Sequence, residues 1–130
     1  MKVDFHPTVC NLCGGEVIFA SNASVYGKEY GSGKCYICIR CKAYVGTHVP
    51  RPTEALGILA NKEMREMKRA CHEVFDKGWK TEPQISRQKK RSHLYGKLAE
   101  ELGIPRELCH FRYFDMPMLK KAYNILTKGK

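Results

Sequence analysis

The chain has 130 residues, 23 Lys/Arg against 13 Asp/Glu and a formal net charge of +10, a length for one domain or two very small modules sharing a core. No hydrophobic run reaches membrane-spanning length, and the polar start Met1-Lys2-Val3-Asp4-Phe5-His6 does not read as a signal peptide. Seven cysteines, partly grouped as C-x-x-C, argue against a disulfide framework and for reduced thiols, so a cytoplasmic location is expected.

After a lead-in in which His6-Pro7 extends the backbone, Cys10-Asn11-Leu12-Cys13-Gly14-Gly15 forms a first knuckle. Cys38-Ile39-Arg40-Cys41 forms a second, 24 residues further on. Two cysteines three apart on a tight turn point at one ion, and a second such pair closes a tetrahedron. Gly14 and Gly15 suit backbone that needs positive φ or passes close to sulfur. Cys10, Cys13, Cys38 and Cys41 therefore predict one structural Zn²⁺, with no open coordination position; the same four thiolates also accept iron. The first 50 residues hold few large aliphatics, and metal binding in small zinc peptides supplies on the order of 10 kcal/mol of folding free energy.

Between the knuckles, Glu16–Ala20 has strand propensity, Ser21–Ser24 breaks it, and Ser24-Val25-Tyr26 is a second short run ending at Gly27. Gly31-Ser32-Gly33 marks a turn, Lys34–Cys38 leads into the second knuckle and Ala43–Val45 leads out. This is the layout of a zinc ribbon over residues 1–50. Cys35 is a rival ligand, because Cys35 and Cys38 are also spaced C-x-x-C. Cys38 with Cys41 is preferred, since Tyr36-Ile37 reads as strand and Cys41-Lys42-Ala43 as a turn. Cys35 is then a free thiol beside the site.

Pro50-Arg51-Pro52 cannot be helical and reads as a stiff bridge. Asn61 is a good N-cap. Met64, Met67, Cys71, Val74, Phe75 and Gly78 follow at helical spacing, which predicts about four turns. Cys71-His72 is not a second metal site, because neighbours on a helix point about 100° apart. Trp79 falls in the next turn, packing between the flanking helices. Ser86 is the expected cap of a helix with the apolar stripe Leu94, Tyr95, Leu98, Ala99 and Leu102. Its first turns carry Arg87, Lys89, Lys90 and Arg91, which oppose the macrodipole and read equally as a solvated face or a phosphate-binding patch. Gly103-Ile104-Pro105 ends that helix, and Pro105 starts a short one through Cys109. Asp115 caps a last helix with Leu119, Ala122, Tyr123 and Leu126 on its apolar face and Gly129 as its stop. The predicted fold is α+β, an N-terminal Cys₄ zinc ribbon followed, over 51–130, by a basic bundle of three to four helices packed with it.

Charge is uneven. Residues 1–60 carry 6 Lys/Arg against 4 Asp/Glu, and the remainder 17 against 9, so attraction to a polyanion falls to the C-terminal part. Leu98-Ala99-Glu100-Glu101-Leu102-Gly103-Ile104-Pro105 has a helix-turn-helix look, but the second helix it offers is short and carries one cation. A zinc-anchored nuclease would need a second ion. His48, His72, His93 and His110, with Asp76 and Asp115, show no spacing that places two on one metal. His48, at the exit of the second knuckle, is a candidate to support the zinc from behind its ligands.

Cys38-Ile-Arg-Cys41-Lys-Ala-Tyr44-Val45-Gly46-Thr-His48, Leu56–Ala60, Ala70–Trp79, Leu98–Ile104, Cys109-His110-Phe111 and Phe114-Asp115 together resemble a family of phage and bacterial zinc-finger-containing proteins described as a domain of unknown function. The likeness covers roughly residues 8–127. It implies a cysteine-ligated zinc module joined to a helical tail and supports Cys38/Cys41 over Cys35/Cys38; it implies no reaction, substrate or catalytic residue.

The reading of the whole is a non-enzymatic, zinc-stabilised protein that binds nucleic acid and no membrane. Lys34, Arg40, Lys42, Tyr36 and Tyr44 are the expected ribbon surface, and Arg87, Lys89, Lys90 and Arg91 the expected phosphate contacts. The alternative is an adaptor that binds or modifies a host protein through the ribbon.

Overall fold

In a computed structural model, which describes residues 3–128, the chain divides into two compact units, the first running to Glu63 and the second from Met64. In the first, β1 (Val17–Ser21), β2 (Lys34–Cys38) and β3 (Tyr44–Gly46) form one antiparallel sheet in the order β1-β2-β3. The register pairs Val17 with Cys38, and Phe19 with Tyr36, which faces Val45 across the other ladder. Strand alternation then puts Val17, Tyr36, Cys38 and Val45 on one face. These four form a buried cluster with Cys10, Ala43, Ala55 and Leu59.

The predicted second strand run is instead a single helical turn, α1 (Ala23–Tyr26), closed by Gly27 at φ 84°. The buried Asn22 side chain accounts for it. Its amide donates to the Tyr30 carbonyl at 2.8 Å and its oxygen accepts from the Tyr30 N–H at 3.1 Å, which braces the excursion from β1 to β2. Residues 51–60 fold back on the sheet: the Leu56 N–H donates to the Gly46 carbonyl at 2.9 Å, and Tyr44 and Ala60 exchange both main-chain bonds.

The second unit holds most of α2 (Lys62–Lys77), then α3 (Gln84–Leu102) and α4 (Met116–Thr127). Helix α2 begins directly after Asn61, and Met64, Cys71 and Phe75 are its buried side chains. Ser86 does not cap α3. The helix starts three residues earlier, after Pro83, and the Ser86 hydroxyl donates to the Pro83 carbonyl at 3.1 Å. Gly103, at φ 71°, stops α3 as expected, and Asp115 caps α4 by accepting from the Met118 N–H at 3.0 Å. Gly129, the predicted stop, lies outside the described residues. Between α3 and α4 run two three-residue 3-10 turns, Arg106–Leu108 and Phe111–Tyr113. A recognition helix is thus missing where the helix-turn-helix reading needs one. Phe75, Tyr95, Phe111 and Phe114 make the aromatic centre of this unit, with ring centroids 4.2 to 5.9 Å apart in successive pairs 75–95, 75–111 and 111–114.

Candidate metal centre

The two knuckles are built alike. The Gly14 N–H donates to the Cys10 carbonyl at 2.9 Å and the Cys10 N–H to the Gly15 carbonyl at 2.9 Å. The Lys42 N–H donates to the Cys38 carbonyl at 3.0 Å and the Cys38 N–H to the Ala43 carbonyl at 2.9 Å. Each turn closes through a left-handed residue after its second cysteine, Gly14 at φ 75° and Lys42 at φ 68°. Gly15 meets the other demand on this backbone. A Cβ there would lie 2.9 Å from the Cys38 sulfur, 2.9 Å from the Arg40 Cβ and 3.2 Å from the Cys13 sulfur.

The knuckles bring the Cys10, Cys13, Cys38 and Cys41 sulfurs within 4.8 Å of one another. Cys10 and Cys41 are 3.7 Å apart at sulfur, and Cys13 and Cys38 are 3.5 Å apart. A tetrahedron with Zn–S bonds of about 2.3 Å has edges of about 3.8 Å, so the donor set fits one structural zinc ion. Disulfide sulfurs would sit at about 2.05 Å. Four thiolates on Zn²⁺ carry a net −2, and main-chain dipoles meet it. Leu12 donates to the Cys10 sulfur at 3.3 Å, Gly15 to Cys13 at 3.4 Å, and Arg40 and Cys41 to Cys38 at 3.4 Å each.

Those bonds set the thiol chemistry. The Cys41 N–H, followed by that of Arg40 acting against burial, holds the Cys38 thiol down at about 6. The Ala43 N–H favours a Cys41 thiolate, but burial and the thiols of Cys13, Cys10 and Cys38 outweigh it and push Cys41 up to about 11. Zinc must displace that proton, so binding weakens as pH falls.

Cys35 is no ligand in this arrangement. Three residues from Cys38 along a strand, it faces the opposite side of the sheet, with its sulfur 4.0 Å from the Ser21 carbonyl and its thiol pushed up by burial. His48 does not support the zinc either. Gly46 pairs with Cys35, so His48 lies five residues up the sheet from Cys38, about 16 Å at roughly 3.3 Å per residue. Its N–H donates to the Glu54 carbonyl at 3.1 Å. Asn11, inside the first knuckle, braces that turn instead. Its amide donates to the Leu59 carbonyl at 3.0 Å and its oxygen accepts from the Leu59 N–H at 3.0 Å, tying the first knuckle to the segment folded over it.

The expected nucleic-acid contacts fall in separate places. Tyr36 is buried, donates its hydroxyl to the Thr53 carbonyl at 2.6 Å and packs on Phe19, so it is not a surface ring. Tyr44 is half-buried against Tyr26. Lys34 opens β2, a strand's length from Arg40 and Lys42 in the second knuckle. Arg40 also donates to the Cys13 carbonyl at 3.1 Å, latching one knuckle to the other. On α3, Arg87 and Lys89 are exposed and Lys90 is half-buried. Arg87 donates to the Glu82 carbonyl at 3.0 Å, and Arg91 lies over Trp79 and Tyr95.

The remaining candidates have structural work. Asp76 accepts from the Trp79 indole at 2.9 Å and pairs with Lys80, while His72 sets its edge on Phe111. Cys71 and Cys109 are buried, which pushes both thiols up to about 11 and leaves them inert at neutral pH. Among the described residues no other group of His, Cys, Asp and Glu side chains gathers as the four cysteines do, and no helix is long and apolar enough to cross a membrane.

Paired cysteine knuckles on a three-stranded antiparallel sheet define a zinc-ribbon type of zinc-finger protein. The family comparison agrees: a family described as a zinc-finger-containing domain, of unknown function, matches residues 6–129, and the chain belongs to it. No curated protein and no solved structure matches the chain.

Proposed function

We propose that the chain is a non-enzymatic nucleic-acid-binding protein whose ribbon is held by zinc, acting in the cytoplasm of a bacterium or a phage-infected cell. One observation carries this reading. Helix α3 opens with Arg87, Lys89, Lys90 and Arg91 and has no acidic residue in its first turn. Arg87, in the first turn, opposes the helix dipole, and four cations within five positions concentrate positive charge for a polyanion to meet. On the ribbon, Tyr26 and Tyr30 are half-exposed and Lys28 lies 5.2 Å over the Tyr30 ring. This is the kind of surface on which unpaired bases stack.

Fluorescence anisotropy with duplex DNA, single-stranded DNA and RNA at low salt tests the reading. Binding that weakens steeply with salt, and that is lost in the Lys89→Glu/Lys90→Glu double variant, supports it. No binding to any of the three ends it. The protein-binding alternative has its own support in the exposed apolar side chains Leu12 and Ile39 in the knuckles and Ile18 and Phe19 on β1. A partner captured after nuclease treatment, and lost in Ile39→Lys, favours that alternative.

A further inference from the structure

Three arginines from three successive elements of the helical unit border one cluster of rings. The guanidinium carbons of Arg91, on α3, and Arg106, on the first 3-10 turn, lie 5.2 and 4.9 Å from the Tyr95 centroid. That of Arg112, on the second turn, lies 5.4 Å from Tyr113. His110 bridges the two rings, at 5.8 Å from Tyr95 and 5.2 Å from Tyr113. Cation–π attraction holds each guanidinium near its ring while the fork of N–H donors keeps its capacity for an oxyanion.

Charge compensation is partial. Arg51 pairs with Glu54 and Lys80 with Asp76, and among the described residues no carboxylate pairs with Arg91, Arg106 or Arg112. The Arg112 Nε is buried and donates to no acceptor, an unfavourable state for a charged donor. The histidines register the excess. Burial first, then Arg112, Arg106 and Arg91, holds the His110 imidazole below its usual range. Burial does the same to His72, where Arg91, Lys68 and Arg112 add to the effect and Asp76 opposes it. Arginines kept only to cover rings would gain from a carboxylate nearby. The carboxylate felt there, Asp76, is engaged by Lys80 and the Trp79 indole and pairs with none of the three arginines, so what would complete the cluster is an external anion.

We propose that Arg91, Arg106 and Arg112 form a phosphate-binding site, occupied by backbone phosphates of the nucleic acid; the source of the phosphate, though not the site, rests on the function proposed above. Guanidinium forks bind phosphate oxygens in pairs, more tightly and with more orientation than ammonium groups do.

Two measurements on the zinc-loaded full chain test it. In the first, histidine titration is followed by NMR in sodium sulfate and in sodium chloride at equal ionic strength, with sulfate as a phosphate stand-in of constant charge. The site requires the His110 pKa to rise in sulfate by on the order of one unit. Arg106→Gln and Arg112→Gln should abolish the rise. If wild-type His110 titrates identically in the two salts, the site does not exist.

In the second, anisotropy with a labelled single-stranded oligonucleotide gives the slope of log affinity against log salt. Arg106→Gln and Arg112→Gln should each reduce it by about 0.7, while Lys120→Gln, exposed on α4, leaves it unchanged. Equal reductions in all three variants would overturn the assignment to backbone phosphate in favour of general charge. A His110 rise without nucleic-acid binding by the wild type would support the anion site and overturn the nucleic-acid reading alone.

Discussion

In the unit around the sulfurs, the largest fully buried side chains are Leu59, Cys35 and Cys38; in the helical unit they include Phe111, Phe114 and Leu119. The first core has one buried ring, Tyr36, and is otherwise Val17, Val45, Leu59, alanines and cysteine sulfur, with two knuckles of main-chain bonds around it. The second buries three phenylalanines and a tyrosine in contact. Apolar burial is worth roughly 25 cal/mol per Å², so large rings can sustain a small unit where alanines cannot. The difference teaches that one half of the chain draws its stability from a coordination sphere and the other from packing.

Removing the ion should break that symmetry most. Chelation, or Cys38→Ser, takes away a contribution on the order of 10 kcal/mol. Amide exchange should then show residues 3–63 unprotected while α3 and α4 keep their protection. Simultaneous loss of the helices would mean that the second core does not stand by itself. Next in size is Phe111→Ala, which empties the middle of the aromatic cluster and should lower stability by about 3–5 kcal/mol. Urea unfolding followed by helical circular dichroism measures that loss, and zinc content should stay at one ion per chain.

Gly15→Ala comes third, at about 1–3 kcal/mol, because the added methyl would lie 2.9 Å from the Cys38 sulfur, a ligand, and 2.9 Å from the Arg40 Cβ in the same knuckle. The readout is zinc transfer to a colorimetric chelator, which should be faster than in wild type. An unchanged transfer rate would mean that the second knuckle moves aside without cost and that Gly15 is not a required glycine.

Much of this was legible before any coordinates. The C-x-x-C spacing gave the ligands, because local turn geometry alone decides where two such sulfurs point. Cys35 stays a rival on spacing, disfavoured because Tyr36-Ile37 reads as strand and Cys41-Lys42-Ala43 as a turn, and Asp115 and Gly103 mark helix ends by capping chemistry that acts within four residues. What escaped depends on distant partners. Asn22 turns a run with strand propensity into a helical turn through bonds to Tyr30, eight residues away. Asn11 meets Leu59 across 48 residues, and Tyr36 is buried through its bond to Thr53. Arg106 and Arg112 look like scattered surface cations until two 3-10 turns, which have no periodicity to read, fold them onto Tyr95 and Tyr113.

The smallest expected effect separates architecture from function at one residue. Lys42 holds in the second knuckle the position that Gly14 holds in the first, at φ 68° against 75°. A left-handed conformation costs an L-residue roughly 1–2 kcal/mol, and glycine's extra freedom in the unfolded chain returns about 0.5–1 of it. Lys42→Gly should therefore stabilise the ribbon by about 0.5 kcal/mol and slow zinc release slightly. Lys42 is also exposed beside the zinc and is one of the cations expected to meet phosphate. The same substitution should then weaken oligonucleotide binding and reduce the salt slope by about 0.7 if it contacts a single strand. Tighter metal retention with weaker binding is the outcome that keeps Lys42 as a functional residue tolerated in a glycine's position. Tighter retention with unchanged binding would leave the helical unit as the whole of the polyanion surface and the ribbon free for another partner.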